Sequence, residues 1–62
     1  MNKPKCKLIG ENGNIYNLMA IASRTLIKAG MKDEANEMIA KVKQCKNYYE
    51  ALGVIGDYVE IT

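Results

Sequence analysis

A chain of 62 residues makes at most one domain. Nine basic residues against seven acidic ones leave a net charge of +2, which permits an anionic partner but lacks the lopsided balance of a dedicated nucleic-acid domain. There is no His, and the two thiols, Cys6 and Cys45, form no Cys-x-x-Cys pair, so a four-ligand zinc site and a His-based catalytic triad are both excluded.

So short a chain buries only about 60% of the surface its unfolded form exposes, and small scaffolds add a staple. With no metal or other cofactor expected, association into a homo-oligomer is the expected staple. No apolar stretch comes after Met1–Lys5, so a signal peptide is not expected. No apolar run approaches the ~20 residues of a membrane span. The expected setting is a cytoplasm, where thiols stay reduced, and Cys6 and Cys45 read as buried structural thiols.

The pattern predicts a mostly helical α+β domain covering residues 1–62, with a flexible start over residues 1–4. Lys5–Ile9 alternates as a short strand, with Cys6 and Leu8 on one face and Lys5, Lys7 and Ile9 on the other. Gly10–Asn14 reads as a turn, with Asn12 and Gly13 tolerating positive φ and Asn14 capping the next element. A first helix is predicted from about Ile15 to Ala29. Its apolar stripe is Ile15, Leu18, Met19, Ala22, Leu26 and Ala29, and Gly30 stands at the C′ position. Ile21 and Ile27 lie off that stripe and are the expected interface with a second copy.

A second helix is predicted from about Asp33 to Lys46. Asp33 and Glu34 lie at its positive dipole end, with Lys41, Lys43 and Lys46 toward the other. Ala35, Met38, Ile39, Val42 and Cys45 form its stripe, and the short Gly30–Lys32 link makes the two helices an αα-hairpin. Asn47 and Glu50 form a capping-box pattern that opens a third helix, with Tyr48, Ala51, Leu52, Ile55 and Val59 on its apolar face. Gly53 and Gly56 either admit a close backbone approach or end that helix early. Tyr58–Thr62 is rich in β-formers and is expected to pair with Lys5–Ile9.

The run Lys7-Leu8-Ile9-Gly10-Glu11-Asn12-Gly13-Asn14, leading into an apolar helix, resembles a group of small proteins carried by phages, prophages and mobile elements of Gram-positive bacteria. These open on a similar Lys-Leu-Ile/Val-Gly-acid-Asp/Asn-Gly-Asn turn and continue with a basic helix ending in Ala-Gly, here Lys28-Ala29-Gly30. They close on a Tyr-Val-Glu tail, here Tyr58-Val59-Glu60. The likeness spans most of the chain and departs where Lys46-Asn47-Tyr48 replaces a Gly-Asp-Tyr helix start. The resemblance implies a context, a bacterial host cytoplasm and a mobile-element origin, and no particular activity.

Catalysis finds little footing. A Ser23–Lys28 dyad is conceivable, with a solvated polar face around Ser23 and Thr25 as the simpler reading. Glu34 and Glu37 could form a carboxylate pair, with an exposed helix face carrying a Glu37–Lys41 ion pair as the simpler reading. The expectation is therefore binding without catalysis.

If an anion or nucleotide binds, the turn residues Asn12, Gly13 and Asn14 would offer backbone amides at a helix start, though Glu11 opposes this. Lys5, Lys7, Arg24 and Lys28 are the natural charged partners, and Tyr49 is the aromatic most expected to be exposed for stacking. Tyr16 and Tyr48 are expected in the core or an interface.

Three functions fit these residues. The first is stoichiometric counter-defence, by sequestering a nucleotide-type immune signal or blocking a host defence protein. The second is nucleic-acid binding through Lys3, Lys5, Lys7, Arg24, Lys28, Lys41, Lys43 and Lys46. The third is a structural or assembly role.

Overall fold

The computed structural model describes residues 3–62. Its elements, in order, are β1 (Lys5–Cys6), α1 (Ile15–Lys28), α2 (Lys32–Gln44), α3 (Tyr48–Tyr58) and β2 (Glu60–Ile61). This is the mostly helical α+β domain the pattern predicts. Part of the expected flexible start, Met1 and Asn2, lies outside the described residues. Lys3 and Pro4 are tied to the far end of the chain: the Lys3 ammonium donates to the Gly56 carbonyl at 2.8 Å, and the Pro4 carbonyl accepts from the Glu60 amide at 2.9 Å.

The two strands pair in parallel, with Lys5 opposite Glu60 and Cys6 opposite Ile61. Parallel neighbours need a long crossover, and here all three helices form it. Both strands are shorter than the predicted Lys5–Ile9 and Tyr58–Thr62. At the first strand's end, the amides of Leu8 and Ile9 converge on one acceptor, the Thr62 carbonyl, at 2.9 and 3.0 Å. A turn closed by the Glu11 amide on the Leu8 carbonyl then leads the chain away. Gly10, with φ of +91°, takes the third position of that turn, where a type II turn needs positive φ. The left-handed residue is thus Gly10, and not Asn12 or Gly13 as predicted. At the second strand's start, Tyr58 stays helical and the Val59 amide still bonds the Ile55 carbonyl before the backbone extends.

The caps obey local chemistry. Asn14 accepts the Tyr16 amide on its side chain at 2.9 Å, as predicted. At the end of α1, the Gly30 amide bonds the Ile27 carbonyl and the Met31 amide bonds the Leu26 carbonyl. With Gly30 at φ +77°, this is a complete Schellman motif, and it delivers the chain straight into α2. Helix α2 begins one residue before the predicted Asp33 and ends at Gln44, two before the predicted Lys46, because Cys45 has an extended ψ of 146°. Asn47 accepts the Glu50 amide at 2.9 Å, while the Glu50 carboxylate reaches the Lys46 amide at 3.1 Å, one residue before the usual capping-box partner.

The core is a single cluster fed by every element. Leu18, Ala22 and Leu26 come from α1, Ala35, Met38 and Val42 from α2, Ala51 and Ile55 from α3, and Cys6, Leu8 and Val59 from the strand ends. Cys6 and Leu8 point inward and Lys5, Lys7 and Ile9 outward, the alternation predicted for the strand. Ser23 is also buried, and the half-buried Thr25 donates to the Ile21 carbonyl at 3.1 Å, with its hydroxyl oxygen 3.4 Å from the Cys6 sulfur. The predicted solvated polar face around these two residues is therefore absent, because this side of α1 turns inward to meet β1. Gly53 and Gly56 neither end α3 nor admit a backbone: an added Cβ at Gly53 would meet nothing within 4 Å, and at Gly56 only the Ile61 side chain at 3.7 Å. Among the described residues, no helix is long and apolar enough to cross a membrane.

Candidate functional site

The residues selected from sequence as an anion site are not gathered into one place. Asn12, Gly13 and Asn14 lie before the first turn of α1, whereas Arg24 and Lys28 lie on its second half. The ten residues from Asn14 to Arg24 span about 15 Å at 1.5 Å per residue. Two of the amides at this helix start are already used: the Asn12 side chain accepts the Asn14 amide at 2.9 Å, and the Asn14 side chain takes that of Tyr16. The Asn17 side chain in turn donates to the Asn12 carbonyl at 2.9 Å. The turn's Asn side chains thus serve as caps for the start of α1. Lys5, Lys7, Arg24 and Lys28 are all exposed.

A different arrangement forms where the start of α1 meets the α2–α3 junction. There a hollow of about 210 Å³ is lined by Ile15 and Tyr16 from α1, by Val42, Lys43, Cys45, Lys46 and Asn47 from the end of α2 and the link, and by Tyr48 and Ala51 from α3. A second, more apolar hollow of about 210 Å³ adjoins it, bounded by Leu8, Ile9, Gly13, Leu18, Leu52 and Ile61. Tyr48 belongs to both walls. Its hydroxyl donates to the Gly13 carbonyl at 2.7 Å, which fixes the ring as a partition between the two hollows. Tyr49 packs edge-to-face on Tyr48, with ring centroids 6.0 Å apart.

Three of the four tyrosines thus stand at one end of the molecule. Tyr16 is 65% exposed, Tyr48 42% and Tyr49 83%. The exposure of Tyr49 matches the reading from sequence. Tyr16 and Tyr48 do not lie in the core: Tyr16 sits one residue, and so 100° around the helix, from the stripe member Ile15, and Tyr48 lies at the mouth of its helix. That rotation argument, applied to Tyr49, would also have found Tyr16. The nearness of residues 15–16 to residues 42–51 comes from tertiary packing and leaves no local mark in the sequence.

The thiols differ in setting. Both are free; Cys6 is buried, and Cys45 is half-buried at the hollow with its sulfur near the Lys41 carbonyl at 3.3 Å. Among the described residues, no group of three or more His, Cys, Asp or Glu could hold a metal ion.

The Glu37–Lys41 pair forms as predicted, at 3.2 Å on the exposed face of α2. Tyr58 completes a triad, its ring centroid 5.4 Å from the Lys41 ammonium. Tyr58, and then Lys41, hold the Glu37 carboxyl below its ordinary value. Tyr58, and then Glu37, push the Lys41 ammonium above its own. Both charged groups are solvent-exposed, where an ion pair contributes little to stability.

Of the expected interface residues, Ile27 is exposed, but Ile21 packs partly against the chain's own core. Ile9, beside the second hollow, is a further exposed apolar side chain. No family model, curated protein or solved structure matches this chain.

Proposed function

We propose that this chain is an accessory protein of a phage or related mobile element that acts in a bacterial cytoplasm by stoichiometric binding, without a reaction of its own. Its role in this reading is counter-defence, and its working surface is the tyrosine-lined end of the molecule. One observation carries the reading: Tyr16 and Tyr48 are held exposed in the wall of a formed hollow, with the exposed Tyr49 packed on Tyr48. Tyrosines supply contact area at small entropic cost and are favoured at recognition surfaces. The mobile-element setting is supported by the likeness of the opening turn, the Lys28-Ala29-Gly30 helix end and the Tyr58-Val59-Glu60 tail. Association of copies belongs to the same proposal, with Ile27 and Ile9 as the exposed apolar contacts.

The test is capture from bacterial lysate with a tagged copy, beside the variants Tyr16→Ala and Tyr49→Ala. The reading expects a protein or small molecule retained in a fixed ratio by the natural sequence and lost from the variants, which remain folded. Retention that is identical in all three would move the working surface elsewhere. A chain that retains nothing would remove the support for binding.

A further inference from the structure

We infer that the hollow between α1 and the α2–α3 junction is a site for a nucleotide, with the base against the tyrosines and the phosphate at Lys43 and Lys46. The inference rests on the reading that the chain acts by binding at this end, and it names the ligand class. Four features of the hollow point the same way.

Its volume of about 210 Å³ is below the roughly 300–1,000 Å³ of sites that enclose a whole drug-sized ligand. It therefore admits one flat ring system and leaves the remainder of the ligand at the rim. Its walls carry two aromatic rings on different elements, Tyr16 from α1 and Tyr48 from α3. Tyr48 is immobilised by its bond to the Gly13 carbonyl and by the edge of Tyr49, so a stacking base finds a ring already in place.

The charge at the rim is positive. Lys43 and Lys46 both line the hollow, and no acidic side chain does. The Glu50 carboxylate, on the Lys46 amide and beside the Asn47 side chain, sets one negative charge next to the hollow, which the two lysines outnumber. Two helices also start here. Asn47 caps the Glu50 amide and leaves the first amides of α3, those of Tyr48 and Tyr49, without a partner inside the helix. The partial positive ends of α1 and α3 therefore add to the two ammonium groups. The C-terminal end of α2 opposes them, and Lys43 in its last turn offsets those carbonyls.

A base with an attached phosphate is the ligand that uses all four features together. A bare anion would leave the rings unused, and an uncharged aromatic would leave the lysines unused. The same chemistry is presented by a free nucleotide and by a single-stranded nucleic acid.

The test is calorimetric titration of the full chain with adenosine and guanosine monophosphates, adenosine, inorganic phosphate and a ten-residue oligothymidylate. Each is repeated on Tyr16→Leu and on the double variant Lys43→Gln/Lys46→Gln, with circular dichroism confirming that both variants are folded. A monophosphate should bind roughly tenfold or more tightly than adenosine or phosphate alone, and each variant should weaken it by a similar factor. Binding should also weaken as salt is raised. Oligothymidylate binding that exceeds that of the monophosphates and is lost in both variants upholds the site and identifies a strand as its source. No binding of any nucleotide or oligonucleotide at millimolar concentration overturns the inference, and so does binding that neither variant changes. If nucleotides fail while a host protein is still captured through Tyr16, this inference falls and the broader binding reading stands.

Discussion

Replacing glycine with alanine should have opposite consequences at two positions of this chain. Gly30 holds φ of +77° in the Schellman motif, a conformation that costs an L side chain about 1–2 kcal/mol. Gly30→Ala should destabilise by about that much. Gly53 lies inside α3 with open space where a Cβ would go, so Gly53→Ala should stabilise by about 0.5–1 kcal/mol through the unfolded chain's lost freedom. Urea unfolding midpoints moving in opposite directions would bear this out; shifts of the same sign would contradict it. Asn47→Ala removes the cap on the Glu50 amide and should cost about 1 kcal/mol in the same assay.

The pH dependence of the Glu37–Lys41–Tyr58 triad is set by its geometry. Glu37 titrates below its ordinary 4.5 in the folded chain, so its contribution to stability is present above 4.5 and is lost as pH falls through the folded value. Lys41 titrates above its ordinary 10.5, so its contribution is present below 10.5 and is lost as pH rises through the folded value. Tyr58→Phe removes the leading cause of both shifts. Measured by carbon-detected NMR, the Glu37 carboxyl midpoint should rise toward 4.5 in that variant. A midpoint that does not move would remove Tyr58 from the account.

At the scale of elements, the three helices depend on a few side chains from each. Met38 and Ile55 are fully buried at the meeting of the helices. Truncating a buried Met or Ile to Ala costs about 2–5 kcal/mol, against the roughly 5 kcal/mol at the lower end of whole-domain stabilities. Met38→Ala should therefore leave the chain largely unfolded at 37 °C by circular dichroism; a cooperative transition with an unchanged midpoint would contradict the packing described. The helices were legible in sequence because 3.6-residue stripes, an Asn cap at each of two starts and a C′ glycine all agree. The strand pairing was legible from β-forming residues near both ends, but not its length, which depends on one carbonyl, that of Thr62, accepting two amides. The site was less legible. Its tyrosines sit at helix starts, where stripe membership is a poor guide to burial, and its lysines come from a junction some 30 residues from Tyr16 in sequence. The turn that resembles a phosphate loop bonds the Asn14 and Tyr16 amides to its own Asn side chains.

At the scale of the whole molecule, the radius of gyration of 10.4 Å is close to the roughly 10.6 Å expected for a folded chain of this length. Within that compact chain Tyr16, Tyr48 and Tyr49 remain exposed at one end, and the proposed function depends on that surface. The most direct measurement is a native mass spectrum of protein purified gently from a bacterial host, for the natural sequence and for Tyr16→Leu. It reports subunit number and any retained partner together. The account predicts a species carrying added mass, released on denaturation and absent from the variant. A bare species in both, or the same added mass in both, would contradict the claim that this end of the molecule is where the protein binds.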